Sequence, residues 1–237
     1  MSNSYFQFKQ FRIEQGRAAM KVSTDACIQG AWTPVSSPVR KALDIGTGTG
    51  LLSLMLAQRN KEVLIDAVEL DPDAAQQAKD NVATSPWKER ITVMQADIRT
   101  FPFIRKYDLI ICNPPFFINS LLGPTDERNK ARHTLSLSFQ ELFEVIRSNL
   151  ADGGYASIML PPVEHAQWST IIQENGWKTY HELHVQPRVG SPANRIVSLC
   201  SPIASRSSLE EQLIIKDKAD HYTPEFIHLL RPFYLAL

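Results

Sequence analysis

The chain has 237 residues, 43% of them hydrophobic, with 25 basic and 25 acidic side chains in balance. That length suits one large domain with a sizeable core, and zero formal charge excludes a global positive field of the kind that grips nucleic acid regardless of sequence. The opening "MSNSYFQFKQFRIEQ" lacks a signal-peptide core and no apolar run approaches a membrane span, so a cytoplasmic protein is expected.

In chain order, "FQFKQFRIEQGRAAMKVS" reads as two short strands around Gln15-Gly16, and "TDACIQGAW" as a small helix. From residue 41 short apolar runs alternate with helical patterns. "KALDIG" is a strand with the helix "LLSLMLAQRN" behind it, and "VLIDAVEL" is a second strand. The next helix, "DPDAAQQAKDNVAT", opens with Asp71 and Pro72, residues that suit a helix N-terminus. "ITVMQAD" and "YDLIIC" are the third and fourth strands, "SFQELFEVIRSNL" a helix, and "GYASIMLP" a fifth strand. After a helix near residues 163–175 come "TYHELHVQ" and "RIVSLCSP", joined by "PRVGSPAN", too short for a crossover helix. The last two strands are therefore an antiparallel pair. Strands that are apolar throughout and separated by helices make a mostly parallel sheet covered on both faces. The expected fold is α/β and Rossmann-like, with seven strands. Residues 1–35 form a hairpin and helix over the site, and residues 36–237 form the main unit. The polar, turn-rich stretch 117–138 reads as a mobile loop beside that site. Three widely spaced cysteines (Cys27, Cys112, Cys200) without a CxxC pair read as reduced buried thiols, and the scattered histidines give no ligand set, so no metal is expected.

"LDIGTGTG" puts Asp44, Gly46, Gly48 and Gly50 where the first sheet strand gives way to a helix. A dinucleotide fingerprint begun at Gly46 needs glycine where Leu51 stands, and one begun at Gly48 needs a small residue where Ser53 stands. There is no Walker lysine either. A cofactor without a pyrophosphate fits better, namely S-adenosylmethionine, whose amino group wants a carboxylate such as Asp44. Glu69 closes the second strand, where a carboxylate accepts ribose hydroxyls, and Asp97 follows the third, within reach of an adenine amine.

"NPPF", Asn113 to Phe116, ends the fourth strand on the same edge. The exocyclic amine of adenine is a poor nucleophile because its lone pair is delocalised into the ring. The Asn113 side-chain oxygen and a nearby main-chain carbonyl, holding both protons of that amine, draw the nitrogen towards tetrahedral geometry. Pro114 and Pro115 stiffen the backbone, and Phe116 offers a stacking face to a flipped-out base. Transfer from a sulfonium to that nitrogen needs orientation more than a general base.

The pair "DIGTGTG" and "NPPF", about seventy residues apart, resembles the amino-methyltransferases of the class I S-adenosylmethionine-dependent superfamily over roughly residues 41–200. More narrowly, "FKQFRIEQGRAAMKVSTDACIQGAW", "LDIGTGTGLLSLMLAQR", "IDAVELD", "SPWKERITV" and "FYLAL" resemble the bacterial tRNA1(Val) adenine N6-methyltransferase family. That resemblance implies methylation of N6 of adenine 37 in tRNA1(Val). It also implies that "MKVSTDA" lies over the cofactor, with Lys21, Thr24 and Asp25 touching the methionine moiety or closing the pocket. Phe116 departs from the commoner tyrosine, keeping the ring and losing the hydroxyl. Two smaller roles stay open from the residues alone: Thr24 as a helix N-cap and Lys21 as a solvated charge.

A second substrate class poses the same problem of a delocalised nitrogen: the glutamine amide of a release factor, methylated at N5 by enzymes with the same Asn-Pro-Pro-aromatic motif. Those usually carry a helical N-terminal domain, whereas here about forty residues precede the sheet. Basic residues gathered at Arg12, Arg17 and Lys21, at Arg128, Lys130, Arg132 and His133, and at Arg188 and Arg195 favour a phosphate backbone. Arg17, Arg128, Lys130, Arg132 and Arg188 are the RNA-binding candidates, and a monomer is the expected state.

Overall fold

β3 (Lys41–Ile45) runs through the interior of the sheet, and everything that matters for the site is built outward from it. The structure, a computed structural model, describes residues 3–18, 20–36, 38–114, 137–202 and 208–237. The chain leaves β3 through α2 (Leu51–Arg59) to β4 (Leu64–Glu69), then through α3 (Pro72–Ala83) and a short 3-10 turn to β5 (Ile91–Gln95) at the edge. It then returns to the other side of β3 as β6 (Tyr107–Cys112). Strand order thus reverses between β3 and β6, and the crevice above such a switch point is where ligands of open parallel sheets bind.

Beyond β6 come α4 (Phe139–Asn149), β7 (Leu150–Leu160), α5 (Pro162–Glu174), β8 (Lys178–Arg188), β9 (Arg195–Ser201), β10 (Leu209–Lys216) and α6 (Pro224–Leu230). The sheet order is β10-β8-β9-β7-β6-β3-β4-β5, with β9 antiparallel to both its neighbours. The expected α/β architecture and the antiparallel pair are present, but the sheet has eight strands rather than seven. The additional strand is β10, parallel to β8 at the edge. In "LEEQLIIK" only Leu213 is buried, so the segment lacks the continuous apolar run that marks the inner strands.

Local signals act as they should. Asp71 caps α3 by accepting from the Ala74 N–H, with Pro72 at the first helical position. Ser138 and Glu141 form a reciprocal capping box at the start of α4. The two faces of the sheet carry separate cores. One packs Leu43, Ile45, Ile110 and Ile158 against α4 and α5, with Phe143 and Trp168 at its centre. The other packs Ala42, Ile65 and Ile111 under α1 (Thr24–Trp32), α2 and α6. All three cysteines are buried, and burial pushes the Cys27 thiol up to about 12.

The N-terminal strands β1 (Tyr5–Gln7) and β2 (Arg12–Glu14) form their own antiparallel pair. Their turn lies at Phe8–Phe11, where the Phe8 N–H donates to the Phe11 carbonyl, and not at Gln15-Gly16. Gln15 is instead a buried tie: its Oε1 accepts from Val22 N–H at 2.9 Å and its Nε2 donates to the Asn3 carbonyl. The hairpin seats its rings against the C-terminal tail, where Phe6 and Phe8 pack on Tyr234.

Candidate active site

The glycine loop leaves β3 in a left-handed conformation, with φ of +68° at Gly46, +58° at Gly48 and +83° at Gly50. These are values that residues with a Cβ adopt at a cost. A Cβ built on Gly46 or Gly48 would meet nothing within 4 Å. At those two glycines the loop borders open space, the shape of a cradle for a ligand, while Gly50 faces Ala78 of α3.

Glu69, at the end of the neighbouring strand, holds that loop. Its Oε2 accepts the Gly48 N–H at 2.8 Å and its Oε1 accepts the Asp71 N–H at 3.0 Å, so one carboxylate links the loop to the start of α3. Each oxygen keeps a lone pair for a hydroxyl donor. Asp44 is completely buried. Its Oδ2 collects the Thr47 hydroxyl at 2.6 Å, the Ser53 hydroxyl at 2.7 Å and the Ser53 N–H at 3.2 Å. Its Oδ1 has no partner among the described residues. Burial pushes this carboxyl up to about 6, against the pull of the hydrogen bonds from Thr47 and Ser53. A cation beside Oδ1 would complete the site.

Asn113 follows the last residue of β6, and its Oδ1 is likewise shut off from solvent with no partner among the described residues. Pro114 beside it is buried. Two orphaned acceptors on adjacent strands, at the switch point and next to an open glycine loop, fit a ligand that brings hydrogen-bond donors. The geometry suits the amino group of S-adenosylmethionine at Asp44 and its ribose hydroxyls at Glu69.

The other expected residues lie as follows. Asp97 is tied by a bidentate pair to Arg99, with Arg99 Nη2 at 2.6 Å from Oδ2, and it also accepts the Arg99 N–H. Those hydrogen bonds hold its carboxyl below the usual range. Asp25 faces Arg195, whose Nε is 3.0 Å from Oδ2, and Lys21 and Thr24 are exposed. The N-cap of α1 is Ser23, not Thr24. Arg17 pairs with Asp80 on α3 at 2.6 Å, and Arg188 pairs with Asp220 at 2.7 Å at the far end of β8. The structure does not bring these two arginines together. Pro115, Phe116, Arg128, Lys130, Arg132 and His133 lie outside the described residues, as does the loop 117–135. Among the described residues no group of three metal-ligating side chains occurs, and no helix is long and apolar enough to cross a membrane.

Two site-supporting residues escape a reading by sequence. Asn81 of α3, 2% exposed, donates to the carbonyls of Glu14 and Thr49 and accepts the Glu14 N–H, each at 2.9 Å. It thereby joins the N-terminal hairpin to the glycine loop. Gln29 of α1 donates to the carbonyls of Cys112 and Ser157. The only advance signal is a polar residue on a helix face that is otherwise apolar.

The family model of the methyltransferase small domain matches residues 33–160, a span that takes in the glycine loop and Asn113. Among solved structures, a predicted O-methyltransferase from Agrobacterium tumefaciens superposes with a TM-score of 0.66 at 19% identity, covering 90% of this chain and 99% of that one. A glycopeptide N-methyltransferase complexed with S-adenosylmethionine gives 0.53 at 12% identity, over 78% and 89% of the two chains. The tRNA1(Val) (adenine(37)-N6)-methyltransferase of Tolumonas auensis is 44% identical over 238 residues, spanning 100% of this chain and 99% of that protein. With identity at that level from end to end, the chain belongs to the tRNA1(Val) (adenine(37)-N6)-methyltransferase family.

Proposed function

We propose that this protein transfers a methyl group from S-adenosylmethionine to N6 of an adenine in tRNA, adenine 37 of tRNA1(Val). The observation that carries the reading is the buried Oδ1 of Asn113 beside the glycine loop, without a partner among the described residues, in a chain whose relatives bear that activity in their names. Bound in the cradle, S-adenosylmethionine supplies a methyl group on a sulfonium, an electrophile that an amine attacks directly.

The chain's own residues bind and orient. Asp44 Oδ1 takes the amino group of the methionine moiety, and Glu69 takes the ribose hydroxyls with the lone pairs that its loop contacts leave free. Asp97, steadied by Arg99, faces the adenine amine. Lys21, Thr24 and Asp25 close the pocket from the start of α1, so residues 1–35 serve as a cover on the unit 36–237. Asn113 accepts one proton of the target amine and a nearby main-chain carbonyl the other, which turns the nitrogen lone pair out of conjugation. Pro114 and Pro115 keep that segment stiff and Phe116 stacks on the base. Arg17, Arg128, Lys130, Arg132 and Arg188 contact RNA phosphates. With tRNA as its substrate the protein works in the cytoplasm, as a monomer.

The test is incubation with labelled S-adenosylmethionine and two pools, unmodified tRNA and purified release factors. Label is expected in N6-methyladenosine from the tRNA digest; label in glutamine would assign the same site to the protein substrate. Asn113→Ala is expected to lower single-turnover methylation by on the order of a hundredfold, with S-adenosylhomocysteine affinity nearly unchanged. A normal rate in that variant would remove Asn113 from the chemistry.

A further inference from the structure

We infer that Gln29 is a positioning residue for the transfer, because its side-chain amide sets the orientation of the peptide unit that carries Asn113. The inference rests on the role given to Asn113 above. Gln29 sits in the middle of α1 and is fully buried. Its Nε2 is 3.1 Å from the Cys112 carbonyl oxygen and 3.2 Å from the Ser157 carbonyl oxygen, with Ser157 Oγ at 3.5 Å. Ser157 Oγ in turn shares a 2.7 Å hydrogen bond with Thr33 Oγ1 at the C-cap of α1. Both hydroxyl-bearing residues are buried.

The place of these contacts gives them meaning. Cys112 is the last residue of β6 and lies level with Ile45, the last of β3, so the β3–β6 ladder ends there. A carbonyl at the end of a buried ladder needs a donor from elsewhere, since burying it unpaired is costly. α1 supplies that donor to β6 and β7 at once.

The Cys112 carbonyl is also part of the rigid planar unit that ends at the Cα of Asn113. Holding that oxygen holds the plane from which the Asn113 side chain departs. Asp44, Ile111 and Ser157 form one cross-strand row, so the Gln29 clamp adjoins the cofactor loop and the Asn113 strand together. Gln29 Oε1 is buried without a partner among the described residues, as are Asp44 Oδ1 and Asn113 Oδ1. What Gln29 contributes through its donors is direction.

The test uses Gln29→Met, which keeps length and removes both donors. Single-turnover methylation of tRNA at saturating S-adenosylmethionine is read beside S-adenosylhomocysteine affinity, tRNA affinity and a thermal melt. A ten- to hundredfold slower rate with both affinities unchanged is expected, the scale of a misplacement of about 1 Å in a reacting group. In an Asn113→Ala background the same substitution is expected to cost nothing more, since the two residues act through one contact. A folded Gln29→Met protein with a normal rate, or equal losses in both backgrounds, would overturn the inference. Should Gln29→Met fail to fold, Thr33→Val releases the Ser157 hydroxyl more gently. It is expected to slow the rate several-fold without weakening cofactor binding, and an unchanged rate there would equally overturn the inference. Asn113→Ala distinguishes the levels: if it alone is inactive, only the positioning role of Gln29 falls, and if it is active, both fall.

Discussion

Asp44 is a carboxylate kept dry, and its chemistry follows from that. Its pKa rises from the ordinary 3.8 to about 6 through burial. With a raised folded value, the stability it contributes is complete below 3.8 and is lost as pH rises through about 6. The loss is about 3 kcal/mol in the ligand-free protein. A bound ammonium reverses the preference, since it favours the ionised form. Affinity for S-adenosylhomocysteine is therefore expected to fall about tenfold for each pH unit below 6, and Asp44→Asn to remove that slope. Calorimetry between pH 5 and 7 checks it, and a flat profile would take Asp44 out of the amino-group site. The glycines make a complementary case. Because a Cβ at Gly48 meets no protein atom, Gly48→Ala is expected to cost only about 1–2 kcal/mol of stability from its positive φ. It should weaken ligand binding by more than that, because the methyl group enters the cradle. Much of this site is legible in the sequence, since Asp44, Glu69 and Asn113 stand at strand ends next to a glycine loop. Arg99 is not, because its partnership with Asp97 depends on how one turn folds back.

Among the elements, α3 does more than cover the sheet. Through Asn81 it fastens the carbonyl of Glu14 in β2 and the carbonyl of Thr49 in the glycine loop. Replacing Asn81 with alanine orphans two carbonyls and one N–H at least partly shielded from water, each worth roughly 1–3 kcal/mol. Denaturant unfolding is expected to show a loss of at least about 2 kcal/mol for Asn81→Ala. Cofactor affinity should fall with it, whereas Gln76→Ala on the exposed face of the same helix should change little. A loss below 0.5 kcal/mol would mean that the hairpin and loop are held by packing alone. The alternation of strands and helices from residue 41 is legible because the inner strands are largely apolar and α3 and α4 open on capping residues. The hairpin turn is not. Phe8–Phe11 carries no glycine or proline, while Gln15-Gly16 has turn chemistry but is used to anchor Val22. β10 escapes for a related reason, since an edge strand with one buried side chain has the composition of a loop.

At the scale of the molecule, the question is how a chain with no net charge holds a polyanion. Its field must be local, and the described part of the surface shows basic groups already engaged: Arg17 with Asp80 and Arg188 with Asp220. Both pairs are about half exposed, a setting in which solvent screens an ion pair and leaves it weak, so a phosphate can displace the aspartate. Arg188 stands at the end of β8, three strands from β6, or about 14 Å at the usual spacing of ~4.8 Å. That is a suitable offset for the backbone flanking a base held at Asn113. tRNA affinity is expected to fall steeply with salt, and Arg188→Glu to flatten the log–log slope by about one unit. Asp220→Asn should do the opposite of damage: by releasing Arg188 from its intramolecular partner it should tighten tRNA binding at low salt, with no effect on S-adenosylhomocysteine. Lys130→Glu, outside the described residues, is expected to lower the slope in the same way as Arg188→Glu. Filter binding of tRNA across a salt series, with the three variants side by side, measures each term. If Asp220→Asn and Arg188→Glu both leave affinity and slope unchanged, the arginine serves only its ion pair with Asp220, and the phosphate contacts lie elsewhere.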